Sequence, residues 1–307
     1  MNILITGGAG FIGSHIADAY LVQGHTVTVI DNLVTGRRAN INPRVAFHHA
    51  DIRDADAVER ILSGANVDLV NHHAAQMDVR RSVDDPVYDA SVNVIGMLTV
   101  LEACRRHGVG RVIFASSGGA IYGEQDYFPA DELHPTRPIS PYGVAKLTTE
   151  QYLHYYHVVH GIDAVCLRYA NVYGPRQNPE GEAGVIAIFA TRMLAGQKPV
   201  INGPGTQTRD YVHVRDVVQA NVLALGVSGS HVLNVGTGRE TDVNHLFHTI
   251  NRLTGSRTEE AHGPAKAGEQ LRSVLDAQRL ATLLGWKQGV TLEEGLEGTV
   301  NYFRSAS

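Results

Sequence analysis

Short runs rich in β-branched residues alternate with longer amphipathic segments along the first half of the chain. The runs NILIT (Asn2–Thr6) and TVTVID (Thr26–Asp31) flank a segment of helical periodicity at 11–23. The alternation continues with four more strand-like runs, RVAFHHAD, VDLVNHHAA, RVIFASS and DAVCLRYAN, and with helices near 54–63, 86–107 and 141–160. Strands that alternate with helices over short connections predict an α/β fold, a doubly wound parallel sheet of the Rossmann type.

The pattern changes after Asn171. The run VYGPRQNPEGEAG is rich in Gly, Pro and polar residues and predicts a long functional loop. A helix near 185–195, an extended piece KPVING, a helix near 214–225 and one more strand, HVLNVGTG, precede a mostly helical C-terminal part. We therefore expect a Rossmann domain and a smaller mixed α/β C-terminal lobe. The domain would comprise 1–171 plus about 211–236, and the lobe about 172–210 and 237–307.

Composition narrows the class of protein without changing this fold. The 307 residues are 43% hydrophobic and 19% charged, with a net charge of −5, and basic pairs are scattered rather than massed, so neither a nucleic-acid nor a membrane surface is indicated. Cys104 and Cys166 lie in apolar periodic segments and are expected to be buried thiols. With no signal peptide and no spanning apolar stretch, a cytoplasmic protein is expected.

A glycine cluster, ITGGAGFIGSH, stands between the first strand and the first helix. Gly8, Gly10 and Gly13 fit a G-x-G-x-x-G spacing, and Gly7, Gly10 and Gly13 fit G-x-x-G-x-x-G equally. Glycines there permit a tight turn, let backbone N–H groups approach a pyrophosphate and let the helix pack closely on the sheet. Such a cluster is also compatible with a simple turn, but its position after a strand and before a helix favours a dinucleotide site.

The residues that follow the second strand bear on which dinucleotide binds. Asp31 ends that strand, 21 residues after Gly10. An acid there accepts hydrogen bonds from the ribose hydroxyls of NAD and repels the additional phosphate of NADP. Arg37 and Arg38 are close enough in sequence to meet a 2′-phosphate, which keeps NADP as the alternative. We expect NAD.

Tyr142 and Lys146 stand four residues apart in SPYGVAKLTTE, near the start of a predicted helix, and so share one face. A tyrosine acts as a base near neutral pH only where positive charge lowers the pKa of its phenol. Lys146 and a nicotinamide cation would supply that charge, and Ser116 and Ser117 end the strand before this segment. A surface Tyr–Lys pair at helical spacing is the plain alternative, although this chain already carries a dinucleotide motif.

Adjacent histidines, His48/His49 and His72/His73, raise the question of a metal site. Neighbouring residues on a strand point to opposite faces, so neither pair can chelate readily. We expect no metal.

The motifs together resemble those of the extended short-chain dehydrogenase/reductases, and within them the UDP-glucose (UDP-galactose) 4-epimerase family. The resemblance spans almost the whole chain and rests on TGGAGFIG, DNLVTG, ADIRD, HHAAQ, VNVIG, SSGGAIYG, SPYGVAK, RYANVYGPRQ, GEAGVIAIF and TRDYVHVRDV. It implies an NAD-dependent isomerase that acts on a UDP-sugar, and a homodimer formed through the helices near 86–107 and 141–160.

The resemblance also implies roles for individual residues, with Tyr142 as the general base and Lys146 as the ribose anchor that tunes its pKa. The residues implied to bind the cofactor are Gly7, Gly10, Phe11, Ile12, Gly13, Asp31, Asn32, Thr35, Gly36, Asp51, Ile52, Ala74, Ala75, Gln76, Asn93, Ser116, Tyr142, Lys146 and Tyr169. Those implied to bind the substrate are Ser117, Gly118, Tyr142, Asn171, Gly184, Val185, Val200, Asn202, Arg209, Lys266 and Glu269.

The segment SSGGAIYGE bears on the reaction. Relatives that dehydrate or decarboxylate the sugar carry an acid just before the YG, whereas this chain has Gly119 and Ala120 there. GDP-sugar enzymes that epimerise and reduce use a Cys/His pair, and no cysteine lies near. The resemblance therefore implies 4-epimerisation. Tyr142 takes the proton of the sugar 4-hydroxyl while hydride passes from C4 to NAD, the 4-keto sugar turns over, and hydride returns to its opposite face.

Three positions depart from the family pattern. Gly118 stands where a catalytic Ser or Thr is usual, and we expect Ser117 to bridge Tyr142 and the 4-hydroxyl, with a water as the alternative. Lys266 replaces an Arg that grips the diphosphate, which gives a point charge instead of a bidentate fork. Ser273 stands where a large residue excludes 2-acetamido sugars, so UDP-GlcNAc and UDP-GalNAc form a second candidate substrate pair.

Two further alternatives remain open at this point. A UDP-glucuronate 4-epimerase or a 4-reductase on another nucleotide sugar would need almost the same mechanism and a different sugar pocket. A non-catalytic NAD-binding sensor on the same fold would need no base, and the presence of both Tyr142 and Lys146 argues against it.

Overall fold

The computed structural model describes residues 1–180, 184–265 and 270–306, which form thirteen strands and twelve α-helices within those ranges. A 3₁₀ turn at Arg38–Asn40 and a π-helical turn at Ser91–Ile95 complete the helical elements. In chain order the elements are β1 (Asn2–Thr6), α1 (Phe11–Val22), β2 (Thr26–Asp31), β3 (Ala46–His49), α2 (Ala55–Ala65), β4 (Leu69–His72), α3 (Val79–Asp84), α4 (Pro86–Ala90), α5 (Gly96–His107), β5 (Arg111–Ser117), α6 (Gly118–Ile121), α7 (Pro141–His160), β6 (Asp163–Tyr169), β7 (Asn171–Tyr173), α8 (Val185–Leu194), β8 (Ile201–Asn202), β9 (Thr208–His213), α9 (Val214–Ala224), β10 (Ser230–Val235), β11 (Glu240–Asp242), α10 (Val243–Thr254), β12 (His262–Gly263), β13 (Arg272–Ser273), α11 (Gln278–Leu284) and α12 (Leu292–Ala306).

Seven parallel strands form the central sheet in the order β10-β6-β5-β4-β1-β2-β3. The chain runs outward from β1 to β3 and then returns to place β4 on the other side of β1. The order of strands therefore reverses between β1 and β4, and in such sheets ligands bind in the crevice at the carboxyl ends of the strands next to this reversal. The predicted doubly wound Rossmann fold is confirmed.

The helices begin and end at the residues that local chemistry favours. Asp54, Ser140 and Asp242 cap α2, α7 and α10 by accepting hydrogen bonds from backbone N–H groups of the first turn. Gly161 ends α7 in the left-handed conformation, as Gly255 ends α10. These caps explain why the predicted helices at 54–63 and 141–160 are found within two residues of their expected bounds.

Both faces of the sheet are covered by apolar side chains. On β1, Ile3 and Ile5 belong to the cluster on the side of α1 and α9, whereas Leu4 belongs to the cluster on the side of α2, α5 and α7. This alternation follows from the two-residue period of a strand. Cys104 and Cys166 are free and buried in the second cluster, as expected of small apolar residues.

A third apolar cluster lies outside the central sheet, among α8, α10, α12 and β9. There β9 pairs with β7, β11 and β13 in a four-stranded sheet, and β8 pairs with β12. Most of these strands have only two or three residues. Of these short strands only β8 was predicted, within the extended piece KPVING, because strands of two or three residues carry no periodic pattern.

The helix predicted near 86–107 is continuous but not regular. It consists of α4, the π turn at Ser91–Ile95 and α5, and a short helix, α3, precedes it. Within the described residues, this stretch is long and apolar enough to cross a membrane. Half of its most apolar segment is buried in the fold, and the core helix of a globular protein can have the same length and composition. The segment after β5 also differs from a plain bend, because Gly118–Ile121 forms a helical turn.

A buried ion pair joins α7 to β6 beneath the end of β5. Arg168 donates two hydrogen bonds to the Glu150 carboxylate, Nε to Oε1 at 2.9 Å and Nη2 to Oε2 at 2.6 Å. The same carboxylate accepts a hydrogen bond from the Ser116 hydroxyl at 2.6 Å, and Arg168 Nη1 donates to the Tyr122 hydroxyl at 2.9 Å. Both charged side chains are almost fully buried, so each depends on the other for its solvation.

We expect Glu150→Gln to lower the free energy of unfolding by about 3 kcal/mol, because it leaves the Arg168 guanidinium buried without a counter-charge. Chemical denaturation measures this change. The matched control is Asp126→Asn, which breaks an exposed ion pair with Arg137 at 3.2 Å and should leave the unfolding free energy nearly unchanged because solvent screens that pair. An equal effect of the two substitutions would contradict the prediction.

Candidate active site

The glycine turn between β1 and α1 forms a cradle that side chains would fill. Gly7 has φ +70°, and a Cβ there would lie 2.5 Å from the backbone nitrogen of Ala74. A Cβ on Gly13 would lie 2.4 Å from the Gly7 carbonyl oxygen, and Gly10 is the N-cap of α1, which has no side-chain cap. Phe11 is buried and Ile12 is half-buried in the first turn of α1. This cradle fits the pyrophosphate of a dinucleotide, whose charge suits a helix N-terminus.

Asp31 ends β2 beside this turn, with its carboxylate held in place. It accepts hydrogen bonds from the backbone N–H of Ala9 at 2.9 Å and of Leu33 at 2.8 Å. Burial raises the pKa of Asp31, and these two hydrogen bonds oppose the rise. Gly36 closes over the carboxylate, since a Cβ there would lie 2.8 Å from Oδ1, and Thr35 next to it is exposed. An oriented carboxylate at this position fits the ribose of NAD.

The two arginines that could have favoured NADP are engaged elsewhere. Arg37 donates from Nη2 to the Asn178 side chain at 3.1 Å. The Arg38 guanidinium lies over the Phe47 ring, 4.4 Å from its centroid. The contacts of both side chains thus argue against a 2′-phosphate site.

The resemblance implies that Asp51 and Ile52 lie by the adenine and Asn32 by the adenosine ribose, and these residues lie close together after β2 and β3. Asn32 donates to Asp51 at 3.0 Å, and Arg53 forms a salt bridge with Asp51 at 2.8 Å. The Arg53 guanidinium holds the pKa of Asp51 well below its usual range. The side chain of Ile52 is buried against Gly96 of α5.

The residues implied to flank nicotinamide follow β4. Ala74 and Ala75 are half-buried, and Gln76 is buried and tied to Asn93 in both directions. The Gln76 N–H donates to Asn93 Oδ1 at 2.9 Å, and Asn93 Nδ2 donates to the Gln76 carbonyl at 2.9 Å. Both side-chain amides also donate to Oδ1 of Asp89, Asn93 at 2.9 Å and Gln76 at 3.0 Å.

Tyr169, at the end of β6, belongs to a buried polar network behind the glycine turn. Its hydroxyl accepts from Asn221 Nδ2 at 2.8 Å and pairs with His73 Nε2 at 3.1 Å. His73 also stacks on the Tyr169 ring, with 5.9 Å between the centroids. Within the described ranges, no three His, Cys, Asp or Glu side chains are grouped to hold a metal ion.

Tyr142 and Lys146 are one turn apart on α7 and face the end of β5. The Lys146 ammonium is buried, donates to the Ala115 carbonyl at 2.8 Å and lies 5.6 Å from the Tyr142 ring centroid. Burial lowers the pKa of Lys146 to about 8, against the opposing charges of Asp89 and Glu150. Burial also raises the pKa of Tyr142 well above its usual value, Asp89 raises it further, and an interaction with the Ser117 hydroxyl opposes the rise.

The two serines at the end of β5 point to different surroundings, because successive strand residues face opposite sides. The Ser116 hydroxyl donates to Glu150 in the core, and its side chain is 3% exposed. Ser117 is half-buried on the side of Tyr142. The Ser116 hydroxyl, implied to serve the cofactor, thus belongs to the buried ion pair, and Ser117 is the hydroxyl next to the tyrosine.

Gly118 has no room for the side chain that the family pattern would place there. A Cβ on Gly118 would lie 2.4 Å from Cδ1 of Leu275, which is 1% exposed. Leu275 is fixed in turn, since its backbone N–H donates to Asp210 at 3.3 Å. The space that a Ser or Thr side chain would occupy is therefore taken by an apolar one.

Most of the residues implied to bind the substrate lie outside the central sheet, on or next to β7, β8, β9 and α8. Asn171 and Val200 are exposed, Asn202 is in β8, and Arg209 in β9 donates from Nη1 to the Thr208 carbonyl at 2.8 Å. Gly184 is the N-cap of α8 and Val185 its first residue. Ser273 is buried opposite Arg209 in the β9–β13 ladder. Lys266 and Glu269 lie outside the described residues.

Three residues that sequence reasoning missed surround this site: Asp89, Glu150 and Leu275. Glu150 follows Lys146 by one helical turn and Asp89 precedes Asn93 by one, so helical spacing could have indicated both. Nothing in the sequence links Leu275 to Gly118, because the two are far apart in the chain and meet only through the tertiary fold.

Comparisons with known proteins agree with this geometry. The model of the NAD dependent epimerase/dehydratase family matches residues 3–236. The UDP-glucose 4-epimerase of Mycolicibacterium smegmatis is 44% identical, with 100% of both chains covered. A crystal structure of UDP-glucose 4-epimerase with UDP-glucose from Thermotoga maritima is 48% identical, with a TM-score of 0.98 over 100% of this chain and 99% of that one. The UDP-glucose 4-epimerase of Thermus thermophilus in complex with NAD is 44% identical, with a TM-score of 0.96 over 100% of both chains.

The predicted family and the predicted cofactor, NAD, are thereby confirmed. On its motifs, its fold and its glycine turn, this chain belongs to the NAD-dependent epimerase/dehydratase family, among relatives that are UDP-glucose 4-epimerases.

Proposed function

We propose that this protein interconverts the C4 epimers of a UDP-sugar, with UDP-glucose and UDP-galactose as the principal pair and with Tyr142 as the base. The observation that carries the proposal is the meeting of Tyr142, Lys146 and Ser117 at the end of β5, on the same edge of the sheet as the glycine turn and Asp31. The similarity to UDP-glucose 4-epimerases over the whole chain supports it. The chain has Gly119 and Ala120 where a dehydratase needs acids.

Tyr142 serves as the group that takes the proton from the sugar 4-hydroxyl and later returns it. Its side chain is half-buried and its pKa is well above the usual value in the protein alone, so it cannot act as a base without additional positive charge. Lys146 supplies part of that charge, since its ammonium lies over the Tyr142 ring at 5.6 Å. The hydrogen bond from Lys146 to the Ala115 carbonyl fixes the ammonium in this position.

NAD, when bound, accepts hydride from C4 of the sugar and gives it back, and its nicotinamide ring adds positive charge near the tyrosine. The glycine turn with the first turn of α1 would hold the pyrophosphate, and Asp31 would orient the adenosine ribose. Gln76 and Asn93 would border the nicotinamide side. Since the reaction consumes no net NAD, the site needs to retain the cofactor rather than exchange it.

Ser117 supplies the hydroxyl that a Ser or Thr at position 118 would otherwise place between Tyr142 and the sugar 4-hydroxyl. Its hydroxyl interacts with Tyr142, whereas the space at Gly118 is filled by Leu275. A hydroxyl between the phenol and the 4-hydroxyl orients the proton transfer without itself changing charge.

The diphosphate would be held by Arg209 together with the N-terminus of α8 at Gly184 and Val185, and the nucleotide wall would include Asn171, Val200 and Asn202. The small Ser273, in register with Arg209, favours UDP-GlcNAc and UDP-GalNAc as a second pair, because no bulky side chain occupies that position.

We also propose that the protein is a cytoplasmic homodimer. Apolar side chains are exposed on adjoining surfaces of α4 and α7, among them Val87 (79%), Val158 (67%) and Val144 (49%). A groove between these helices is lined by Pro86, Ala90, Val94, Ile139 and Val144. Two copies that pack these helices together would bury this surface.

The first test incubates the purified protein, without added NAD, with UDP-glucose, UDP-GlcNAc and UDP-glucuronate, and separates the 4-epimers by chromatography. We expect epimers of UDP-glucose, and of UDP-GlcNAc at a lower rate.

Tyr142→Phe should reduce kcat by about a thousandfold or more while the protein keeps its NAD, because only the proton transfer is lost. Full turnover by Tyr142→Phe would overturn the assignment of the base, and an inactive wild-type protein that binds NAD would favour the sensor.

A second prediction concerns the hydroxyl at position 117. Ser117→Ala should lower kcat by about a hundredfold with little change in KM, since the group acts on proton transfer rather than on binding. Ser116→Ala is the matched comparison: it removes a hydrogen bond to Glu150, so it should lower thermal stability and slow the reaction far less. Unimpaired kcat in Ser117→Ala would instead favour a bridging water.

Light scattering should give twice the mass of one chain. Val87→Asp together with Val158→Asp should shift the protein to the monomer, because two charges would be buried in the interface. Val22→Asp is the control, since Val22 is 82% exposed on α1, away from these helices. A monomeric wild-type protein would refute the dimer.

A further inference from the structure

Asp89 is a buried carboxylate for which the mechanism above has no role. It lies on α4, where its residue is 1% exposed. Its Oδ1 accepts both side-chain amides, from Gln76 at 3.0 Å and from Asn93 at 2.9 Å, whereas Oδ2 is buried with no hydrogen-bond partner within the described ranges. Burying an ionisable group among neutral partners is costly. A leucine or a phenylalanine would fill the same space without this loss of hydration free energy, so the presence of an aspartate needs an explanation.

The hydrogen bonds of Asp89 immobilise the loop that follows β4. Gln76 is bonded through its backbone to Asn93 and through its side chain to Asp89. The Gln76 side chain also donates to the Asp78 carbonyl at 2.8 Å and accepts from the Asp78 N–H at 2.9 Å. Asn93 is in the π turn at Ser91–Ile95, and such turns often mark functional positions. Asp89 is the acceptor shared by the two amides, so it links the loop to the helix.

Asp89 also faces the charged groups of the catalytic helix. The ionisable groups around Lys146 are Tyr142 and Glu150 on α7, His72 at the end of β4 and His73 after it, Arg168 on β6 and Asp89 on α4. Burial, together with the charge of Lys146, lowers the pKa of both histidines to about 3, so they are neutral near pH 7. Glu150 is neutralised by Arg168 at 2.6 Å. The hydrogen-bond partners of Asp89 in the described part of the chain are neutral, so its charge acts on Lys146 and Tyr142 without compensation.

We propose that Asp89 is a positioning residue of this site: it fixes Gln76 and Asn93 at the nicotinamide side and is the buried counter-charge that keeps Lys146 protonated beside Tyr142. The proposal rests on the roles assigned to Tyr142 and Lys146 above. A negative charge at Asp89 favours the ammonium form of Lys146 and disfavours the phenolate of Tyr142. The pH range in which Tyr142 and Lys146 are active together therefore lies higher than it would without the charge of Asp89.

The test separates the charge from the hydrogen bonds by two substitutions. Asp89→Asn keeps the size and one acceptor oxygen but removes the charge, and Asp89→Leu removes both. The control is Asp85→Asn at the N-cap of the same helix, because the Asp85 side chain is exposed and its described contact is the hydrogen bond it accepts from the Tyr88 N–H at 2.9 Å. Asparagine caps a helix as well as aspartate.

The first measurement is the pH profile of kcat. Loss of the charge lowers the pKa of Tyr142, which moves the acid limb to lower pH, and lowers the pKa of Lys146, which moves the alkaline limb in the same direction. We expect the whole profile of Asp89→Asn to shift toward acid by about one pH unit, a size typical of a buried charge in a site of moderate effective dielectric. A profile that coincides with that of Asp85→Asn overturns the role of the charge.

The second measurement is the rate at which the purified protein releases its NAD, followed by chromatography after dilution. Asp89→Leu, which frees the loop, should release NAD about tenfold faster than Asp89→Asn, which keeps the shared acceptor. Equal release rates overturn the positioning role. If the wild-type protein and Asp85→Asn turn over UDP-sugars while both measurements on Asp89 fail, only this proposal is lost. If the wild-type protein turns over none, the proposed function itself is wrong.

Discussion

The burial of the Lys146 ammonium is the constraint on which the rest of the site depends. A charged amine in the protein interior loses most of its hydration, and here burial lowers its pKa to about 8. Its described hydrogen bond is to the Ala115 carbonyl at 2.8 Å, and the Phe114 ring lies beneath it at 4.7 Å. The neighbouring groups stabilise this charge or add no further positive charge beside it. Asp89 and, to a smaller extent, the Arg168-paired Glu150 lie near enough to favour the ammonium form, and His72 and His73 are neutral near pH 7.

Ser116 and Ser117 have different surroundings because they lie on opposite faces of β5. Glu150 is neutralised by Arg168 and also accepts the Ser116 hydroxyl, so this serine is part of the charge-bearing core. The next residue on the strand faces the opposite side, where Tyr142 lies. The chain can therefore have Gly118, with Leu275 packed against it, and still present one hydroxyl to the phenol. In the proposed mechanism Ser117 supplies the hydroxyl, one residue before Gly118, where the chain passes from β5 into the helical turn at Gly118–Ile121.

The fold could be predicted to a large extent from local patterns, and the site only in part. The runs of β1, β2, β5 and β6 carry their own periodicity, and Ser140 and Gly161 mark both ends of α7, so these elements need no tertiary information. Tyr142 and Lys146 were also accessible, because helical spacing alone puts them on one face. Asp89 contacts a loop that folds back from β4, and Leu275 reaches Gly118 from the segment that follows β13. Contacts of this kind are set by packing between distant segments, which a local pattern does not encode.

The π turn at Ser91–Ile95 has a consequence for how this helix can change. Each residue advances an α-helix by about 100°, so a π turn, which holds one residue more than an α turn, rotates everything after it by that angle. Asp89 and Asn93 face the loop after β4, while Met97, Val100, Leu101 and Cys104 of α5 face the apolar cluster on the sheet. The helix makes both sets of contacts because the π turn rotates α5 relative to α4. Deleting one residue from this turn would leave a regular α-helix, whose residues could face the loop after β4 or the apolar cluster as they do now, but not both.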